Sequence, residues 1–252
     1  MDIVQIWKRI GETPLQALQR TRTEYGIPDC KKSCYTGRLD PMAQGAMTLL
    51  LGDQVHQAKR HNSSSKTYRF QAILGISTTS YDPLGRITNI RQVSAVEAEQ
   101  FMSNILQLNG NLEQFVPPCS AYRYKGKPLW KHSSEGTLPD VLPTKTVKLY
   151  SIKHLQAHPT LISFLDYRKD VMDDIKDTMA LSPEAQFDFQ GIKSDWKDVQ
   201  PGQIANVYRI CFETKVGSGT FVRSLVYDIA HKLGIPAHTF RITRLAMHDQ
   251  LV

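Results

Sequence analysis

The chain has 252 residues, 41% of them hydrophobic and 22% charged, which is enough apolar material for a buried core and excludes wholesale disorder. It carries 31 Lys and Arg residues against 24 Asp and Glu, and the net charge of +7 suits either a polyanionic partner such as nucleic acid or a protein that is merely basic. No apolar run is long enough to span a membrane, and the first ten residues lack the apolar core of a signal peptide.

Helices and strands are both predicted in the first half of the chain. After a glycine turn, residues 14–25 predict an amphipathic helix that Thr13 can cap. Residues 66–76 alternate apolar and polar side chains, as a strand does. Residues 94–110 predict a second helix, closed by an Asn-Gly pair.

Residues 42–51, MAQGAMTLLL, predict a mostly buried helix, and Asp40 followed by Pro41 is a typical start for one. An N-cap aspartate is worth about 1 kcal/mol, so the Asp-Pro pair taken alone favours a capping role. The glycine turn in the preceding YTGRLDP can also hold a carboxylate at the mouth of a cleft. Asp40 is therefore a candidate for both a helix cap and a nucleophile.

The second half of the chain also mixes the two kinds of element. Residues 144–157 predict a strand, and residues 205–234 predict a strand, a tight glycine turn and a helix that Thr220 can cap. Residues 158–204 are charged and partly helical, with a loop predicted at 193–203, so we expect a surface insertion or subdomain there. Because no regular βαβ alternation is present, the pattern predicts an α+β fold.

Two basic features stand out on this background. Arg223 falls in the first turn of the last predicted helix, where an exposed cation opposes the helix dipole at a cost of about 0.3–1 kcal/mol. Such violations are most frequent at functional or strained sites, the alternative being an arginine that meets an acid elsewhere. Residues 116–136 place Arg123 and three lysines among aromatic side chains, which suits RNA binding or a strand pair with a solvated basic edge.

Six motifs, in order along the chain, resemble those of the TruB-type tRNA pseudouridine synthases. The segment TGRLDPMAQGAMTLLLG resembles the catalytic motif of that family, which runs roughly Gly-His-Thr-Gly-x-Leu-Asp-Pro-x-Ala-x-Gly. Together, the six motifs cover most of the chain outside residues 158–204. The other five segments are KRIGETP at 8–14, SKTYRFQAILG at 65–75, VPPCSAYRYKGKPLW at 116–130, GSGTFVRSLVYDIAHKLG at 217–234 and AHTFRITRLAM at 237–247.

The resemblance implies a pseudouridine synthase fold, which is α+β with a mixed, largely antiparallel central sheet flanked by helices beside an RNA-binding cleft. It implies an isomerisation in which a uridine of RNA is detached from its ribose at N1 and rejoined at C5, without a metal or an organic cofactor. The essential acid of the family corresponds to Asp40. Its carboxylate would attack the ribose C1′ or the uracil C6, or help to remove a proton from C2′, and all three routes stay open.

The remaining roles implied by the resemblance are assigned by position. Arg223 would form a salt bridge that aims Asp40. Tyr68 would stack on the target uracil and take part in the proton transfer from C5, and Ile242 would pack on the other face of the base.

Further contacts would hold the RNA while the uridine is flipped out of its stack. Tyr35 stands where the family usually has a histidine beside the flipped nucleotides. Lys66 would hold RNA or shape the cleft. Lys8, and Arg123 in the basic segment, would grip the backbone on either side of the target.

Several residues depart from the family's pattern. Arg38 stands where a small residue is usual, and GRLD is closer to the ribosomal RNA pseudouridine synthases. Thr79 stands where a Thr-Asp-Thr motif would have its acid, and Cys119 replaces a tyrosine. These departures bear on the choice of substrate more than on the type of reaction.

We predict one catalytic domain over residues 1–252, with 158–204 as an insertion and no PUA domain. The predicted substrate is tRNA, bound through its T-arm and modified at the T-loop uridine, position 55 in the family's convention. The alternatives are the same reaction on ribosomal or messenger RNA and a tRNA-binding folding factor without turnover. We expect a monomer that needs no protein partner, located in the cytoplasm, with organellar and nuclear locations left open.

Overall fold

A mixed β-sheet lies at the centre of the computed structural model, which describes residues 2–181, 187–200 and 202–248. The strands of the sheet within these ranges are β1 (Ile3–Lys8), β2 (Ser33–Thr36), β3 (Gln44–Leu51), β4 (Ser65–Leu74), β7 (Gly110–Phe115), β10 (Thr144–His154), β11 (Thr160–Ser163), β12 (Asn206–Val216) and β13 (Ala237–His248). Its main path is β1-β3-β13-β4-β12-β10-β7, with β2 beside β3 and β11 beside β12.

Two small strand pairs and a set of helices complete the described elements. The strand pairs are β5 (Ile76–Thr78) with β6 (Ile87–Ile90) and β8 (Arg123–Tyr124) with β9 (Lys127–Pro128). The helices are α1 (Pro14–Glu24), α2 (Ala58–Ser63), α3 (Ala95–Leu106), α4 (Leu129–Ser134), α5 (Phe164–Leu181), α6 (Phe189–Asp198) and α7 (Val222–Lys232), and a 3₁₀-helix spans Gly52–Gln57.

The pairing of the strands confirms the predicted fold class. All ladders of the central sheet are antiparallel except the one between β13 and β3, which is parallel at Thr243–Gln44 and Arg244–Gly45. The sheet is thus mixed and largely antiparallel, and helices flank it. In the described ranges, no helix has the length and apolar character needed to cross a membrane.

Helix starts follow the local signals of the sequence. The Thr13 hydroxyl accepts the backbone N–H of Gln16, whose side chain accepts the N–H of Thr13 in return, and this capping box begins α1. Ser94 and Glu97 form the same box at the start of α3, which ends at Leu106. The predicted helix at 14–25 is therefore confirmed, as are the strands at 66–76 and 144–157 to within a few residues. The helix predicted at 94–110 is confirmed only as far as Leu106, because Gly110 already begins strand β7 and the Asn-Gly pair does not close the helix.

The helix predicted at residues 42–51 is wrong, because these residues turn and then form strand β3. β1 pairs with β3 along one edge, while β2 and β13 pair along the other. Side chains from Met47 to Leu51 are buried on both faces of the sheet, so the segment has no polar alternation that would distinguish a strand from a buried helix. Asp40 consequently caps no helix.

A predicted cap at the C-terminal helix is also wrong. α7 begins at Val222, and its N-cap residue Phe221 makes no side-chain capping bond. The Thr220 hydroxyl instead donates to the carbonyl of Gly217 at 2.9 Å. It therefore tightens the turn between β12 and α7 rather than capping the helix.

Helices pack against both faces of the sheet and produce two hydrophobic cores. The first core joins α1, α3 and α7 to the face that carries Phe70 and Phe212, whose rings stack at 5.4 Å. The second core packs α5 and α6 against the opposite face, which carries Ile73, Val207 and Phe240. The sheet is thus sandwiched between two helical layers.

The loop predicted at 193–203 is partly wrong, because helix α6 continues to Asp198. Its side chains Ile192 and Trp196 lie one helical turn apart, and both are buried in the second core. In α5, four apolar residues from Phe164 to Ile175 are buried in the same way. The charged segment therefore contributes core, although its status as an insertion stays a prediction.

Candidate active site

Asp40 lies in the loop between β2 and β3, at the junction of two cavities. It lines both the larger cavity, of about 1350 Å³, and the smaller cavity, of about 320 Å³. The backbone turns sharply here, with the N–H of Ala43 donating to the carbonyl of Asp40 at 3.0 Å. The Asp40 side chain is 45% exposed, so its carboxylate is open to a molecule bound in either cavity.

The buried Arg223 forms an ion pair with this carboxylate. Its Nη2 lies 2.8 Å from Asp40 Oδ2, and the side chain is only 3% exposed. The guanidinium also donates to the carbonyls of Ser80 at 2.7 Å and Cys119 at 3.1 Å, and lies 3.5 Å from Asp82. Burial lowers the pKa of Arg223, but attraction to the two carboxylates outweighs it and the net pKa is raised. The cation in the first turn of α7 is therefore paired twice.

Asp82 is a site residue that the sequence analysis missed. Thr79 lacks the acid expected in its motif, but Asp82 supplies a carboxylate to Arg223 from the same loop. The carboxylate accepts the Ser80 hydroxyl at 2.6 Å and the N–H of Leu84 at 2.9 Å. Burial raises the pKa of Asp82, against the opposing effects of Arg223 and Ser80. The signal available in the sequence was a second Asp-Pro pair close to the motif.

The smaller cavity brings together the side chains predicted to hold the base. Tyr68 on β4 and Ile242 on β13 both line it and are each 9% exposed. Lys66 lines it too, but is buried, and its ammonium donates to the carbonyls of Asn62 and Ser64 at 2.6 Å each. Of the two roles predicted for Lys66, this position favours shaping the cleft.

Arg244 is a second site residue that was missed. It is 1% exposed and donates to the carbonyls of Gly37 at 2.6 Å and Ala46 at 2.7 Å. Its guanidinium carbon lies 6.0 Å from the centre of the Tyr68 ring, and Nη1 is 3.4 Å from the Tyr68 hydroxyl. Arg244 thus joins the loop that carries Asp40 to Tyr68. The sequence could have indicated Arg244, because it lies two residues after Ile242 on a strand and such residues point to the same face of the sheet.

Lys8 does not lie where a contact with RNA requires it. The side chain is 0% exposed, and its ammonium donates to the carbonyls of Arg9, Pro41 and Ala43 at 3.0, 3.0 and 2.6 Å. Burial lowers the pKa of Lys8 to about 7, against the attraction of Asp40 and Glu12. The prediction of a backbone grip is corrected, because the contacts make Lys8 a support for the turn that follows Asp40.

Tyr35 and Arg123 occupy different surroundings. Tyr35 is partly exposed and lines the larger cavity beside Asp40. Arg123 lies on the exposed hairpin of β8 and β9, donates to the carbonyl of Gly126 at 2.8 Å, and lines neither cavity. The structure therefore brings Tyr35 to the site and leaves Arg123 outside it.

Two solved structures have a similar fold. A chain of a crystal structure of a Cbf5–Nop10–Gar1 complex aligns with a TM-score of 0.56 and 15% identity, over 98% of this chain and 48% of its own length. A chain from a structure of an H/ACA RNP bound to a substrate RNA containing 2′-deoxyuridine aligns with a TM-score of 0.52 and 15% identity. It covers 98% of this chain and 47% of its own.

Curated relatives match nearly the whole chain. The tRNA pseudouridine synthase B of Listeria monocytogenes is 25% identical over 242 residues, which is 96% of this chain and 64% of the relative. That of Pseudoalteromonas translucida is 26% identical over 97% of this chain and 61% of its own length. The chain thus spans about three fifths of the length of these relatives. The sequence profile described as "TruB family pseudouridylate synthase (N terminal domain)" matches residues 26–168, more than half of the chain. The chain therefore belongs to the TruB family of pseudouridylate synthases.

Proposed function

We propose that this chain converts uridine to pseudouridine in RNA, with tRNA as the substrate and the T-loop uridine, position 55 in the family's convention, as the target. The observation that carries the proposal is the Asp40–Arg223 ion pair at the junction of two cavities, in a chain of this family. The names of the curated relatives support tRNA as the substrate. The smaller cavity has about the volume of a small-ligand site, which suits one flipped nucleoside.

The reaction breaks the bond between N1 of uracil and C1′ of ribose, forms a bond between C5 and C1′, releases the proton of C5 to solvent and adds a proton to N1, so that product and substrate are isomers. Arg223 holds one oxygen of Asp40 and fixes its direction, while nearly half of the side chain faces the cavities. A carboxylate placed in this way can form a covalent bond with the ribose C1′ or the uracil C6, or accept the C2′ proton, and can leave again. The ion pair serves each of these routes equally.

Tyr68 and Ile242 are proposed to hold the two faces of the uracil. They project from strands β4 and β13 into the smaller cavity that Asp40 also lines. An aromatic ring and an aliphatic side chain fix the plane of a base without restricting which edge faces Asp40. The Tyr68 hydroxyl, which accepts from Arg244, is the candidate group for relaying the C5 proton to solvent, passing on its own proton as it takes up the one from C5.

We propose Tyr35 as a stacking partner for a nucleotide next to the target, because it lines the larger cavity beside Asp40. Arg123 remains a proposed contact with the RNA backbone outside both cavities. We further propose that the chain acts as a monomer in the cytoplasm without a protein partner. Activity of the purified chain alone, with its mass measured by light scattering in the same buffer, tests the monomer and partner proposals.

The proposed reaction is tested by the release of tritium from a tRNA transcript labelled at uridine C5. We expect wild type to release label and Asp40→Asn to be slower by at least about 10³-fold, since an amide cannot act as the nucleophile. Asp29→Asn is the matched control, because Asp29 is exposed and outside both cavities, and it should react like wild type. Both variants should bind tRNA and stay folded at the assay temperature, with Asp40→Asn somewhat less stable because the buried Arg223 loses a charged partner.

Each alternative has its own result in this assay. Release from ribosomal or messenger transcripts, and not from tRNA, would move the substrate to another RNA. Tight tRNA binding without release of tritium from any RNA would indicate a tRNA-binding folding factor instead of an enzyme. Equal release by wild type and Asp40→Asn would remove Asp40 from the chemistry.

A further inference from the structure

Two tyrosine rings join helix α7 to the loop between β5 and β6, which carries Asp82. The rings of Tyr81 and Tyr227 are stacked, with their centres 3.7 Å apart and their planes at 11°. The carbonyl of Tyr81 accepts the N–H of Thr239 at 3.0 Å. Tyr227 lies on α7 four residues after Arg223, so the two side chains project from the same side of the helix. The stack therefore attaches the loop to α7 one turn away from the buried arginine.

The backbone of Tyr81 lies in the left-handed region, with φ at +65°. A bulky residue keeps this conformation only where its surroundings enforce it. The groups on either side of Tyr81 converge on one nitrogen of Arg223. The carbonyl of Ser80 accepts from Arg223 Nη1 at 2.7 Å, and Oδ2 of Asp82 lies 3.5 Å from the same atom. The strained residue thus stands between two partners of a single guanidinium.

The guanidinium of Arg223 links the position of this loop to that of Asp40. Its Nη1 makes the contacts with the loop, whereas its Nη2 lies 2.8 Å from Oδ2 of Asp40 and donates to the carbonyl of Cys119 at 3.1 Å. Because a guanidinium is planar and rigid, contacts that fix Nη1 also fix the direction of Nη2. A displaced loop would therefore turn the nitrogen that pairs with Asp40.

We propose that Tyr227 is a positioning residue, whose stack on Tyr81 keeps the Arg223 guanidinium in the orientation that meets the reacting carboxylate. Its effect on turnover rests on the proposed function, whereas its effect on the guanidinium does not. Both rings border the larger cavity, but Tyr81 is only 4% exposed and Tyr227 also stacks on His231, at 5.5 Å and 10°. These contacts within the protein favour support of the loop over stacking on an RNA base.

The orientation of the guanidinium is measured without RNA, by following the Nη resonances of Arg223 in ¹⁵N-arginine NMR. Wild type should give separate Nη1 and Nη2 signals, because contacts on both nitrogens hinder rotation. Tyr227→Leu fills similar space without a ring and should merge or broaden them. Tyr81→Gly should do the same, since glycine adopts the left-handed conformation without strain but removes the partner ring.

Two matched controls keep the Tyr81–Tyr227 stack. Tyr227→Phe retains the ring and loses only a hydroxyl that shares a hydrogen bond with Tyr81. His231→Ala removes the other ring that stacks on Tyr227, from an exposed position on the same helix. Both controls should keep the separate Nη signals of wild type. All spectra are recorded below the unfolding temperature of each variant, so that a change reports on the site.

Tritium release gives the second readout. Tyr227→Leu should lower kcat at saturating tRNA by about 10- to 100-fold and leave KM within about twofold, because a misaligned reacting group affects the transition state more than binding. Tyr227→Phe and His231→Ala should match wild type within about twofold.

Unchanged Nη signals in both Tyr227→Leu and Tyr81→Gly would overturn the proposal. A raised KM with unchanged kcat in Tyr227→Leu would also overturn it, and would make Tyr227 a contact with the RNA. Absence of turnover by wild type on any RNA would remove the proposed reaction alone, since the Nη signals still decide whether the stack orients Arg223.

Discussion

At the scale of single residues, the site depends on a buried positive charge, that of Arg223, which is balanced by nearby carboxylates. Arg223 is buried in the first turn of a helix, where its charge opposes the dipole, yet two carboxylates and two carbonyls surround it. Removing one partner of a buried pair leaves the other uncompensated and costs about 3–5 kcal/mol. Because Asp40 is half exposed and Asp82 is buried, loss of Asp82 should affect folding more than loss of Asp40.

Asp228 offers a test of burial that is only partly compensated, by the charge of Lys232 and a hydrogen bond to the backbone of Phe115. It lies on α7, and its Oδ1 has no hydrogen-bond partner among the described residues. Burial raises the pKa of Asp228 from 3.8 to about 7, against the attraction of Lys232. The folded state therefore holds this proton more tightly than the unfolded chain, and its contribution to stability is complete below pH 4 and is lost as the pH rises through 7.

We expect Asp228→Asn to stabilise the protein by about 2 kcal/mol at pH 8 and to change little at pH 4, because the amide carries no charge at either pH. Urea unfolding at the two pH values measures the difference. The control is Asp53→Asn, at an exposed position, which should leave stability unchanged at both. Equal effects of Asp228→Asn at pH 4 and pH 8 would contradict the proposed burial.

At the scale of elements, β3 shows why an apolar run is ambiguous. MAQGAMTLLL has the composition of a buried helix, and its strand form depends on pairing with the nearby β2 and with β1 and β13, which are distant in sequence. Gly45 marks the closest approach, since its φ is +126° and a Cβ there would lie 2.2 Å from the carbonyl oxygen of Arg244. The parallel contact of β3 with β13 thus requires a residue without a side chain.

We expect Gly45→Ala to destabilise the protein by about 3 kcal/mol and to reduce tritium release, because the backbone of Arg244 must move. Gly26→Ala is the matched control. Its φ is +59°, but a Cβ there would meet nothing within 4 Å, so the conformational effect alone should cost about 1 kcal/mol. Thermal unfolding and the tritium assay give the two readouts, and equal losses for both variants would refute the close contact.

At the scale of the whole molecule, two helical layers hold the site loops from opposite faces of the sheet. α7 in the first layer carries Arg223, while α6 in the second supports the loop of Asp82. The indole N–H of Trp196 donates to the carbonyl of Pro83 at 3.3 Å, and Trp196 is 0% exposed. Helix α6 of the predicted insertion therefore packs directly against the loop of Asp82.

We expect Trp196→Ala to cost about 3–5 kcal/mol and to shift one cooperative unfolding transition of the entire chain. Urea unfolding followed by both far-UV circular dichroism and fluorescence should give coincident curves. Trp130→Ala is the control, because Trp130 is 38% exposed and its loss should cost much less. Two separate transitions would instead show that residues 158–204 fold as an independent subdomain.

Local patterns determined much of this protein. Capping residues and alternation predicted α1, α3, β4 and β10, because those signals act within a few residues. The resemblance of six motifs predicted the family, and placed Asp40, Tyr68 and Arg223 in one site. Only the tertiary structure decided that residues 44–51 form a strand, that Asp82 pairs with Arg223, that Lys8 is buried and that Arg244 contacts Tyr68. These depend on burial on both faces and on contacts between distant segments, which a local pattern does not encode.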